Sequence, residues 1–157
     1  MSLSFDGKCL KNNDPALGIT ISDAMVDPNY QAAAGDLVYL DDAKNLYKLC
    51  TMDNIASASA GGLVVSEASA KGKGFVIATP GMILRLKRFG TLAELTAFGA
   101  AHVGFLGPNG RLSGSPKTGR DVYNRRVLTL PKRFQDLTQA DLELGVVFLT
   151  DPVVHTS

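Results

Sequence analysis

Short apolar runs that alternate in period two, each ended by a glycine, a proline or a pair of acids, constrain this chain more than any other feature. Leu37-Val38-Tyr39-Leu40 stops at Asp41-Asp42, and Leu46-Tyr47-Lys48-Leu49-Cys50-Thr51 begins after the turn-like Ala43-Lys44-Asn45. That pair predicts a β-hairpin. Gly61-Gly62-Leu63-Val64-Val65-Ser66-Glu67 and Gly74-Phe75-Val76-Ile77-Ala78-Thr79 follow, spaced so as to predict a strand-turn-strand meander. Met82 to Phe89 continues the apolar pattern beyond Pro80-Gly81. Runs this short, broken this often, are too brief for stable helices. The predicted fold class is therefore all-β: a small antiparallel β-barrel or β-sandwich with one or two short helices.

The helical signals are local. Thr91-Leu92-Ala93-Glu94 has capping-box spacing, Leu92, Leu95 and Phe98 share a face, and Gly99 ends the run. Thr138-Gln139-Ala140-Asp141-Leu142 predicts a further helical turn, stopped by Gly145. Between them, His102 to Leu106, the turn Gly107-Pro108-Asn109-Gly110 and Arg111-Leu112-Ser113 predict a strand, a tight turn and its return. Val127-Leu128-Thr129-Leu130 and Val146-Val147-Phe148-Leu149 predict two later strands, and Thr51 to Gly62 reads as a flexible surface loop of small polar residues.

A chain of 157 residues predicts one domain, or one domain with an arm. Residues 1–30 differ in texture from the rest, because Gly7, Asn12, Asn13, Asp14-Pro15, Gly18 and Asp27-Pro28 interrupt them and only Gly18 to Ser22 alternates as a strand. The division is thus an extended N-terminal arm with a first strand over 1–30, and a β-domain over 31–157. Leu3, Phe5, Leu10 and Leu17 give the arm enough apolar surface to dock on a neighbour, against the alternative of a frayed terminus.

Sixteen basic against fifteen acidic residues leave a net charge of +1, so the global positive field that steers proteins onto nucleic acid is missing. One local run, Lys117, Arg120, Arg125, Arg126, Lys132 and Arg133, has the makings of a phosphate-contacting patch, with Tyr123 and Phe134 available for stacking. Asp121 and Asp136 interrupt it, which favours a salt-bridged face over a nucleic-acid site. No apolar stretch approaches the roughly 18 to 20 residues that cross a bilayer, so no membrane partner is expected. Cys9 and Cys50 are read as thiols, with Cys50 as the core residue.

Candidate chemistry is sparse. His102 and His155 are the two histidines, and Ser113 in Gly110-Arg111-Leu112-Ser113-Gly114 is one residue off nucleophile-elbow spacing. The four potential soft ligands Cys9, Cys50, His102 and His155 lack the short pairings of a zinc site, and Asp41-Asp42 lacks a calcium loop. Lys71-Gly72-Lys73-Gly74 precedes a strand where a phosphate loop would open a helix. No enzymatic activity and no cofactor or metal are expected.

The order of the pieces carries a resemblance. Ala34-Gly35-Asp36-Leu37-Val38-Tyr39-Leu40-Asp41, Leu46-Tyr47-Lys48-Leu49, Gly62 to Ala68, Gly74 to Gly81 and Ala101 to Ser113 together resemble the small capsid decoration, or cement, proteins of tailed bacteriophages. The resemblance spans roughly residues 33 to 150, with departures at His102 and in the basic stretch 117–133. It implies a non-enzymatic virion protein on the outer face of the capsid, made in the host bacterial cytoplasm. The implied partners are the major capsid protein and further copies of the chain, as a trimer or alternatively a dimer. Under that reading the capsid and subunit contacts are sought at Leu3, Phe5, Leu10, Leu17, Arg120, Arg125 and Arg126. The alternative function is a head-fibre or tail attachment domain built on the same scaffold.

Overall fold

The computed structural model describes residues 18–115, 124–149 and 154–155. Among them the alternating runs form strands β1 (Ile19–Ile21), β2 (Leu37–Asp41), β3 (Leu46–Leu49), β4 (Gly62–Ser66), β5 (Phe75–Ala78), β6 (Ile83–Arg85), β7 (Val103–Leu106), β8 (Leu112–Ser113), β9 (Asn124–Thr129), β10 (Gly145–Val147) and β11 (Val154–His155). All pair antiparallel, in three open sheets ordered β1-β5-β4-β2-β3, β10-β6 and β11-β9-β7-β8. The protein is mainly β and sandwich-like. Of the two architectures that the sequence allows, no closed barrel forms among the described residues.

The predicted hairpin forms as expected, with Val38 opposite Leu49 and Asp41 opposite Leu46. The predicted meander forms in part: β4 and β5 pair antiparallel as successive strands, with Val64 opposite Ile77, but β4 does not continue from β3. β4 lies beside β2 at the far side from β3, with Leu37 opposite Leu63, so the chain crosses back over its own hairpin. Composition explains the order: β4 carries Leu63, Val64 and Val65, all buried, and suits the centre, whereas β3 carries Lys48 and is only half-buried throughout. A charged strand belongs at an edge.

Period two splits the five-stranded sheet between two apolar clusters. Leu37, Leu63, Val65 and Ala78 face the larger one, with Leu84 from β6, Leu106, Leu112 and Leu128 from the four-stranded sheet, and Phe134 and Phe148. Val38, Val64, Phe75 and Ile77 face the smaller one with Ile21 of β1, and Val26 and Ala32 close it from outside the sheet. Edge-to-face contacts of Tyr30 and Tyr47 with Phe75, at 6.0 and 6.4 Å, seal it.

The capping box at Thr91 is present: Glu94 N donates to Thr91 Oγ1 at 3.3 Å, and Thr91 N donates to Glu94 Oε1 at 3.1 Å. It opens α1 (Leu92–Thr96), whose Leu95 is fully buried, and Gly99 at φ +81° ends the run in the left-handed region. Phe98 packs on Phe134 with ring centroids 5.0 Å apart, so the helix docks on the 3-10 turn Phe134–Asp136. The second helical signal appears as a 3-10 turn, Gln139–Glu143.

The segment read as a flexible loop is a built turn. Ser57 N donates to Asn54 Oδ1 at 2.9 Å, Thr51 Oγ1 donates to Ser57 Oγ at 2.6 Å, and Ala58 and Ala60 are buried in the larger core. Ala58 and Ala60 here are packing groups, 0% and 3% exposed. Cys50, just past β3, is fully buried in the same core.

Candidate functional site

The strongest polar feature joins the sheets. Gly35, at φ +93°, turns the chain into β2 and places Asp36 beneath it, 5% exposed. Its carboxylate accepts from Tyr30 Oη at 2.6 Å and from the Ala33 amide at 3.0 Å through Oδ2, while Arg111 Nε sits 3.0 Å from Oδ1. Arg111, between the β7 turn and β8, also donates through Nη1 to the Ala34 carbonyl at 3.0 Å. Burial first, and then the hydrogen bond to Asp36, push the Tyr30 phenol far above its ordinary value, so it stays a neutral donor. A buried carboxylate held by a cation and two further donors is satisfied, and its chemistry is that of a clasp.

Gly110 seats the clasp. Its φ is +64°, and a Cβ there would lie 2.4 Å from Leu49 Cδ1 and 3.2 Å from the Cys50 carbonyl. The β7–β8 turn therefore presses directly onto the end of β3, which brings Arg111 within reach of Asp36.

A second feature is an open groove of about 760 Å3 at one end of β1 and β5, lined by Thr20 to Ala24, Ser66, Glu67, Ser69 and Lys73 to Val76. Asp23 organises its rim: Oδ1 accepts from the Gly74 amide at 2.7 Å, and Oδ2 is 3.5 Å from Lys73 Nζ. Lys71-Gly72-Lys73-Gly74 is the turn ahead of β5, with Gly72 at φ +74°.

The basic stretch is partly neutralised. Lys132 Nζ is 2.8 Å from Asp141 Oδ2, and Arg133 Nε is 2.8 Å from Asp136 Oδ2. Lys132, followed by the Thr138 amide, holds the Asp141 carboxyl down at about 2. Arg126 is half-buried at the register shift where β9 meets Phe105 of β7. Arg125 is placed by its backbone opposite Val154. Leu3, Phe5, Leu10, Leu17, Arg120 and Lys117 lie outside the described residues, as do Cys9 and Tyr123.

The remaining candidates stand apart. His102 is exposed ahead of β7, and its carbonyl accepts from Leu130 N at 2.7 Å. Ser113 Oγ donates to the Ser115 carbonyl at 2.9 Å. The His155 backbone pairs with Asn124. Asp41 is a hairpin acid whose Oδ2 is 3.1 Å from Lys48 Nζ, which lowers its carboxyl below the usual range. Among the described residues no three His, Cys, Asp or Glu side chains gather as a metal site, and no helix is long and apolar enough to cross a membrane.

Sequence reasoning missed the clasp. Asp36 reads as a turn residue and Arg111 as a return-strand residue 75 positions away, and no local pattern joins them. The available signal was a carboxylate set between Gly35 and the apolar Leu37-Val38, where an acid must be paired if it is buried. Comparison with protein-family models, with curated proteins and with solved structures returns no match.

Proposed function

We propose that this chain is a structural virion protein that binds the outer face of an assembled tailed-phage capsid and stabilises it, without catalysis. Its partners under this reading are the major capsid protein and further copies of itself, as a trimer on the lattice. The reading is supported by the ordered strand-and-turn pattern of residues 34–113, which resembles that of capsid decoration proteins and is realised as a sheet packed on both faces.

The physical requirements of such a role suit the scaffold. A cement must resist outward pressure on the shell, which demands a domain that does not deform when its edges and turns are pulled. Here two apolar clusters share one sheet, and the Asp36–Arg111 ion pair ties that sheet to the β7–β8 turn. Rigid presentation lowers the ordering cost of binding, so more of the contact energy is retained as affinity.

The test is direct. The purified chain is incubated with expanded, undecorated capsids of the phage that encodes it. Saturable binding and a gain in capsid heat resistance are expected, and the absence of both refutes the proposal. Labelling on intact virions then separates lattice-wide decoration from attachment at a single vertex or tail.

A further inference from the structure

The two edges of the five-stranded sheet are treated differently. At β3 the chain covers its own edge: Val26 bridges Tyr47, the Asp27 amide donates to the Tyr47 carbonyl at 3.1 Å, and Asp27 lies 3.9 Å from Lys48. At β1, no described strand lies outside Ile19–Ile21. Ile-Thr-Ile also carries none of the charges or prolines with which natural sheets blunt an edge. Ile19 is 47% exposed, although period two puts it on the face of the buried Ile21. The smaller core thus stops one residue short of the sheet's edge, and another strand would complete it.

We infer that this edge and the adjoining groove receive residues 1–17 of a second copy of the chain, which add as a strand beside β1. Chain direction favours a second copy over the same one. β1 runs antiparallel to β5 with Ile19 opposite Ile77 and Ile21 opposite Phe75, so the N-terminal end of β1 lies toward Ala78. The groove lies at the opposite end, around Ser22, Asp23 and Gly74. A strand added beside β1 from the same copy would first have to reverse at that far end, whereas a neighbour's residues 1–17 need no such reversal to enter at the groove.

Reach agrees with this occupant, and so does the charge immediately around Leu10. Seventeen extended residues span up to roughly 56 Å, whereas a domain of this length is roughly 40 Å across. On the groove, Asp23 is engaged by Lys73 and the Gly74 amide, and Glu67 is an exposed second carboxylate. In the incoming segment Lys8 and Lys11 bracket Leu10, which sets two cations beside an apolar side chain suited to Ile19, while Asp6 and Asp14 lie further out and balance them over the segment as a whole. Two copies exchanging these segments close a dimer, and three passing them around a ring close a trimer. This pairing needs no capsid and forms between purified chains.

The native Cys9 provides the probe, since Cys50 is fully buried and out of reach. Ile19→Cys, Thr20→Cys and Ser22→Cys are made singly in the full chain and oxidised. At least one is expected to give a disulfide between copies, running at twice the chain mass on a non-reducing gel and lost in a Cys9→Ser background. Disulfides formed only within one copy, or none, overturn the inference. In the otherwise native chain, Ile19→Lys is expected to raise the concentration for half-association about tenfold in sedimentation equilibrium, with an unchanged melting temperature. Association unaffected by Ile19→Lys, or a native chain that is monomeric at every concentration, overturns it as well. Capsid binding by the same variants is scored separately, so a failed strand exchange with intact capsid binding refutes this inference alone.

Discussion

Replacing Arg111 by Met keeps most of the side chain's volume and removes its charge, which isolates what the clasp contributes. The substitution deletes the contact to Asp36 Oδ1 and the hydrogen bond to the Ala34 carbonyl, each 3.0 Å long. Asp36 retains Tyr30 and the Ala33 amide, but its carboxylate is left buried without a counter-charge. Removing one partner of a buried pair costs about 3 to 5 kcal/mol. The Arg111 side chain is 27% exposed, which admits screening water and places the expected loss at the low end, about 3 kcal/mol. For a chain of this length that corresponds to a fall in melting temperature of about 6 to 12 °C.

The assay is urea denaturation followed by circular dichroism, with the double substitution Arg111→Met/Asp36→Asn as the fourth corner of a cycle. Because the amide introduced by Asp36→Asn carries no charge to strand, the double variant is expected to be more stable than the sum of the singles, with a coupling of about 2 kcal/mol. A loss below about 0.5 kcal/mol for Arg111→Met, the range of an ordinary surface change, or strict additivity in the cycle, refutes the clasp.

Tyr30 predicts an alkaline limit. The unfolded phenol ionises near its ordinary value of 10.0 whereas the folded one keeps its proton, so the unfolded state sheds a proton that the folded state holds. Stability is therefore fully present below about pH 10 and declines as the pH rises past it. Tyr30→Phe, measured by urea midpoints across that range, should flatten the decline, and an unchanged pH profile refutes the assignment. Thr91→Ala removes the cap of α1 and should cost about 1 kcal/mol in the same assay; a cost near zero means that Leu95 packing alone holds the helix.

The elements legible in the sequence were those whose causes are local. Period two at 37–40 and 46–49 marked the hairpin, and Thr91 with Glu94 marked the helix start, because each signal lies within a few residues of its effect. Strand order was not legible: the ten-residue spacing of the runs says nothing about which side of β2 receives β4, and burial demand decided it. Thr51 to Gly62 misled because small polar residues look alike whether they wave in solvent or fill a tight corner, as Ser57, Ala58 and Ala60 do. The clasp was hidden by separation along the chain, and the groove by the crossing of residues 22–27 between the two edges of the sheet.

A sheet that is greasy on both sides loses the usual guard against slippage. When one face is wet, a one-residue shift turns every apolar side chain to water and is rejected at once. Over the buried parts of β4 and β5 the same shift would merely swap the contents of two dry compartments. Discrimination must then come from volume. Phe75 and Ile77 belong to one compartment and Ala78 to the other, and the missing side chain of Gly62 leaves space that Ile77 fills, a Cβ there falling 2.6 Å from Ile77 Cδ1. Shape complementarity thus does the proofreading that polarity does elsewhere, and the glycine that contributes no contact of its own is the mark that tells the strands where to stop sliding.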